Sequence, residues 1–141
     1  MLLGLLLLTA GVDDPDPPTV FELGQNTPDP FCPGTAGGHT EIQMALPQEA
    51  AVLLEIWNTD TTLTLRTLVD GVLAAGYHSV VWDGRDGGGS VPPEGEYVYA
   101  MTATEVGTGD LLYYAALTAT IDCTVRIQPI FWGKVKAGFG Q

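Results

Sequence analysis

Turn-forming residues interrupt this chain so often that few architectures remain open to it. Its 141 residues include 18 Gly and 10 Pro. Breaks fall at 26–38, 47–50, 60–62, 70–76, 83–95 and 106–110. Between them lie short runs rich in Val, Ile, Thr, Leu and aromatics, at 20–23, 40–45, 52–58, 63–69, 77–82, 96–104, 111–122 and 125–131. No run carries a long, capped 3.6-residue apolar period. Leu54 and Ile56 alternate with Glu55 and Trp57, as a strand does when it buries one row and exposes the other. Short strands separated by frequent turns predict an all-β fold, an antiparallel β-sandwich of about seven to eight strands. A chain of this length builds one core.

Charge and composition narrow the function. The net charge of −12 repels a phosphate backbone, so no nucleic-acid partner is expected. Charged residues make up 16% of the chain and hydrophobic ones 45%, a balance that leaves apolar surface for a protein partner. The charge is also segregated. Residues 1–65 carry nine acids and no Lys or Arg, whereas Arg126, Lys134 and Lys136 follow Asp122 with no acid among them. The segregation reads either as chance in a chain with few bases or as head-to-tail attraction between neighbouring subunits.

Catalysis finds little to work with. His39 and His78 are the only histidines, and Ser79 and Ser90 the only serines, neither in a nucleophile elbow. The expectation is no enzyme, no cofactor and no small-molecule substrate. Asp83 and Asp86 lack the spacing of a calcium loop that closes on a Glu, and no metal site is expected. Cys32 and Cys123 stand too far apart in sequence for a CxxC pair or a zinc cluster. A disulfide between an early and a late strand is their natural use, which requires an oxidising compartment.

The ends are apolar. Residues 1–8 include Leu2, Leu3, Leu5, Leu6, Leu7 and Leu8, a run well short of the roughly twenty residues of a membrane-spanning helix. It reads either as a strand donated to a neighbour's sheet or as the remnant of a signal peptide lacking its basic start. With the acidic, Pro-rich linker it forms an extension over 1–18, ahead of a sandwich over 19–141. Near the other end, Ile130, Phe131 and Trp132 follow Pro129, which marks an edge or a bend. These two apolar stretches are the expected joining segments.

The central stretch carries a family signature. Leu68, Val69, Asp70 and Gly71 are followed by Gly76, His78, Val81, Trp82, Asp83, Gly84, Asp86, Gly89, Val91, Pro92, Gly95 and Tyr97. In order and spacing, and with NTPDPFCPGT upstream, residues 26–104 resemble the flagellar hook-cap (FlgD-type) Ig-like domain and the related sorting domains of type IX secretion. The resemblance implies an Ig-like sandwich that serves assembly and brings no catalytic residues. Trp82, Asp83, Gly84, Asp86, Gly95 and Tyr97 are then a structural corner. Cys32 occupies a turn position where relatives read NPFNP, so its bond to Cys123 would tie later strands to the sandwich. The functional expectation is a structural subunit of an extracellular or cell-surface filament, a homopolymer of this chain joined by strand donation or edge pairing. The alternative is a soluble secreted binding or sorting module with a cleaved signal peptide.

Overall fold

The computed structural model describes residues 16–35 and 37–124. Leu2 to Leu8, the strand expected at 125–131, and Ile130, Phe131 and Trp132 lie outside the described residues. Seven strands follow in order: β1 (Glu22–Leu23), β2 (Thr40–Leu46), β3 (Ala50–Trp57), β4 (Thr64–Leu73), β5 (Gly76–Trp82), β6 (Gly95–Thr104) and β7 (Leu111–Ile121). They form two antiparallel sheets, one of order β1-β2-β5 and one of order β4-β3-β6-β7. This is an Ig-like β-sandwich. Among the described residues, no helix is long and apolar enough to cross a membrane.

Period-two alternation builds the core. Ala50, Val52, Leu54 and Ile56 of β3 are buried, and the residues between them are only half-buried. Ile42, Met44 and Leu46 of β2 meet them from the other sheet. Each such side chain, fully buried, contributes about 1.5–3 kcal/mol.

One element differs from the sequence expectation. The Asp70–Gly71 pair does not break the chain, because β4 runs on to Leu73 in register with β3, Ala51 opposite Val72 and Leu53 opposite Asp70. Pairing with a buried neighbour outweighs the local turn preference of Asp-Gly. The β3–β4 loop is a polar turn at 58–63. Asn58 Oδ1 accepts from the Thr62 and Leu63 N–H groups (2.9 and 3.1 Å), and Thr61 takes a left-handed φ of 58°.

The first strand changes sheets. Leu23 pairs with Met44 of β2, and Thr27 exchanges two backbone bonds with Glu41 (2.9 and 2.8 Å). The chain then crosses the sandwich through two cis X-Pro bonds, Thr27–Pro28 and Asp29–Pro30. Phe31 arrives parallel to β7, donating to Thr120 O (3.1 Å) and accepting from Asp122 N–H (3.0 Å).

Candidate functional site

The corner predicted at Trp82 is a packed joint between sheets. Trp82 ends β5 and is fully buried. Its ring lies edge-on to Phe31 (5.4 Å, 65°) and to Tyr97 (6.3 Å, 74°), and its Nε1–H donates to Arg85 O (3.0 Å). The three rings therefore join β5, β6 and the crossing segment, with the edge-to-face geometry that aromatic pairs favour. The Tyr97 hydroxyl donates to Pro93 O.

Asp83 and Asp86 hold the loop that follows. Asp83 Oδ1 accepts from Arg85 N–H (3.0 Å) and from Arg66 Nη1 (2.7 Å). This Arg66–Asp83 pair is the one ion pair among the described residues; both side chains are partly exposed, so the pair by itself adds little. Asp86 Oδ1 accepts from Gly88 N–H (3.0 Å) and Ser90 N–H (2.9 Å), closing the glycine-rich tip. Both carboxylates thus present oxygen to N–H donors, the arrangement of a turn. Among the described residues, no group of three or more His, Cys, Asp or Glu could hold a metal ion.

Gly84 is where the corner touches the crossing segment. Its φ is +80°, and a Cβ there would lie 2.2 Å from Pro33 Cγ and 3.0 Å from Phe31 Cε2. Next to Pro33, Cys32 bonds Cys123 across a separation of 91 residues (S–S 2.05 Å, Cα–Cα 4.7 Å). Gly95 opens β6 opposite Ile121 at the same end. Trp82, Tyr97, Gly84 and the disulfide thus converge around Phe31 and Pro33, whereas Asp83 and Asp86 shape the loop outside.

A second joint has no counterpart in the sequence reading. Tyr99, buried in β6, donates through its hydroxyl to Gly24 O (2.7 Å) and accepts from Asn26 N–H (2.8 Å). Asn26 Nδ2 donates to Thr40 Oγ1 (2.9 Å), which donates to Pro28 O (2.8 Å). Burial pushes the Tyr99 phenol up to about 12. The only signal in the sequence is a tyrosine two residues from another on a strand, which reads as packing and not as a polar tie. Trp57 stands half-buried on the outer face of the four-stranded sheet.

The two sides of the sandwich are unequal. On one side, Gln25 Nε2 donates to Thr118 O (2.9 Å) and Asp29 Oδ1 accepts from Thr120 N–H (2.8 Å). With the Phe31 bridge, these bonds close the last turns of the β7 edge. On the other side, β4 and β5 are the outer strands of their sheets and are joined only by Ala74 and Ala75. The corner covers β4 at Leu65, whose carbonyl accepts from Gly87 N–H (2.8 Å). Beyond it no described strand pairs with either edge. Val72, Tyr77 and Val81 are 54%, 57% and 53% exposed there.

A sandwich of seven described strands, with an aromatic corner, a crossing first segment and a disulfide that ties that segment to the chain just beyond β7, is an Ig-like structural module. The FlgD Ig-like domain model matches residues 32–107, more than half of the chain, and the chain belongs to that family. The basal-body rod modification proteins FlgD of Salmonella typhimurium and Salmonella typhi are each 46% identical to it over 44 residues. That match covers 31% of this chain and 19% of either relative. The crystal structure of FlgD from P. aeruginosa aligns with a TM-score of 0.47 at 19% identity, covering 74% of this chain and 76% of that one.

The expected extracellular or cell-surface location is corrected by these relatives, which are basal-body rod modification proteins. Low charge, apolar ends and a cysteine pair are features of composition. They do not encode a cellular location, because such features serve folding and assembly in more than one compartment.

Proposed function

We propose that this chain is a non-catalytic structural module of a flagellar rod or hook-cap type of assembly, joined to copies of itself by β-strand addition. One observation carries the reading: beyond Leu65, no described strand pairs with the β4 and β5 edges, which lie on the same side with exposed Val72, Tyr77 and Val81, while the opposite side is closed by hydrogen bonds and a disulfide. An open edge offers a row of N–H and C=O groups to another chain, and strand addition is a recurrent use of it. The donor is Leu2 to Leu8, seven residues against the seven of β5. The polar residues of the corner serve the fold. Ser79 Oγ donates to Glu41 across the β2–β5 pair, and His78 Nε2 contacts Ala74 O (2.8 Å), so these groups stabilise strands.

Sedimentation of the full chain tests the reading. The wild type is expected to form oligomers. Leu5→Lys with Leu7→Lys, or Val81→Lys on the acceptor edge, is expected to give folded monomers by circular dichroism. Undiminished oligomers in both variants would refute strand addition at this edge.

A further inference from the structure

The outer face of the four-stranded sheet is a second surface, distinct from the sheet edges. Cross-strand register places Trp57, Val98 and Thr118 in one row, Glu55, Ala100 and Ala116 in the next, and Leu53, Thr102 and Tyr114 in a third. Small Ala100 leaves a floor between the larger Trp57 and Tyr114, a hollow of about 330 Å³, and exposed Ala116 stands opposite Ala100 on the neighbouring strand. A second hollow of about 240 Å³ adjoins it at Thr102 and runs past Leu53 to Gly71. Together they make a groove along the sheet, and its first hollow has room for one or two large apolar side chains.

Three features point to the occupant. First, β7 ends at Ile121, opposite Gly95, three residues from the Thr118 row, so the chain leaves the sandwich at the Trp57 end of this groove. Second, the 17 residues at 125–141 reach at most roughly 60 Å when extended. The groove spans the seven residues from Val98 to Thr104, roughly 20 Å. Third, charge and polarity match. The described residues hold 15 acids and two bases, Arg66 and Arg85, and both bases are engaged at the corner. The acids near this face are Glu55 and Asp70, with Asp60 and Glu96 at its Trp57 end. The remaining bases, Arg126, Lys134 and Lys136, all lie beyond Thr124, interleaved with Ile127, Ile130, Phe131, Trp132 and Val135.

We infer that the outer face of the four-stranded sheet is the seat of this chain's own residues 125–141, with their apolar side chains in the groove and their bases toward its acidic surroundings. The inference does not rest on the rod-assembly reading. A segment tethered at Thr124 acts at an effective concentration on the order of 1 mM, so an intrinsic affinity of about 0.1 mM seats it about nine-tenths of the time.

Trypsin cuts after Arg126, Lys134 and Lys136 and reports that seating in the full chain. The expected result is cleavage about tenfold slower than in the same chain unfolded in urea, after correction for protease activity, and independent of protein concentration. Ala116→Phe fills the groove from an exposed position and should restore fast cleavage, with Tyr114→Ala as a second variant should the first fail to fold. Salt at 1 M should also speed cleavage, because it screens the acid–base attraction. Cleavage already fast in the wild type would overturn the inference, as would slow cleavage that both groove variants leave unchanged. Protection that grows with protein concentration would also overturn it, by assigning the groove to the segment of a second copy. Sedimentation of the edge variants is a separate readout, so either proposal can fail alone.

Discussion

Replacing Gly84 with alanine adds one methyl group where the loop after β5 meets the crossing segment. Two costs follow, and a second glycine separates them. Gly84 and Gly89 both have left-handed backbones, with φ of +80° and +90°. An alanine in that region costs about 1–2 kcal/mol at either place. Around Gly89 a new Cβ meets nothing within 4 Å, whereas at Gly84 it lands 2.2 Å from Pro33 Cγ and 2.7 Å from Pro33 Cβ. Pro33 cannot swing away, because its ring is rigid and it follows a disulfide-bonded cysteine. Overpacking of this kind adds about 1–3 kcal/mol. Gly84→Ala should therefore lose about 2–5 kcal/mol and Gly89→Ala about 1–2. Urea unfolding with a shared m-value gives both numbers from the midpoints. Equal losses in the two variants would refute the claim that close approach to Pro33, and not backbone conformation alone, reserves position 84 for glycine.

Three other outcomes are expected. Trp82→Ala should cost about 3–5 kcal/mol in the same assay, since the ring is fully buried against Phe31 and Tyr97; a loss under about 1 kcal/mol would contradict that packing. Tyr99→Phe should cost about 1–3 kcal/mol by leaving Asn26 N–H and Gly24 O without their partner. The same residue sets an alkaline limit. Its phenol is raised to about 12 in the fold, so its contribution is intact below the unfolded value near 10 and is lost as pH climbs from there toward 12; Tyr99→Phe should flatten that part of the stability–pH curve. Finally, Cys32→Ser with Cys123→Ser should lower stability by about 4–5 kcal/mol, the chain-entropy value for a loop of 91 residues, and thermal melting of the oxidised and double-serine chains measures it.

Much of the sandwich is legible because its strands speak locally. Val52, Leu54 and Ile56 alternate with Leu53, Glu55 and Trp57, and that period survives in the burial of β3. The Asp83–Gly84 turn and the tip at Gly87 to Gly89 are written in residues that make turns anywhere. What stayed hidden depends on partners distant in sequence. Asp70 and Gly71 look like a break until Ala51, Val52 and Leu53 pair with that stretch. Asn26 looks like a loop residue, and Thr40 like an ordinary strand residue, until Tyr99 arrives 73 positions after Asn26 to complete a buried polar tie. The passage of the first strand from one sheet to the other is likewise absent from any local pattern, because a Pro-rich stretch says only that regular pairing stops. The outward side of Trp57 follows from the row of β3 that faces the other sheet, Val52, Leu54 and Ile56.

The position of the disulfide has a mechanical consequence. Tension entering the chain before Asp16 and leaving beyond Thr124 is passed from Cys32 to Cys123 through two sulfur atoms. The 91-residue contour between them, about 300 Å if drawn straight, is taken out of the force path. Only the stretch up to Phe31 can peel under load, first from β2 and then from β7. Reduced, the same module would behave as an extensible spring; oxidised, it is a short, nearly inextensible link.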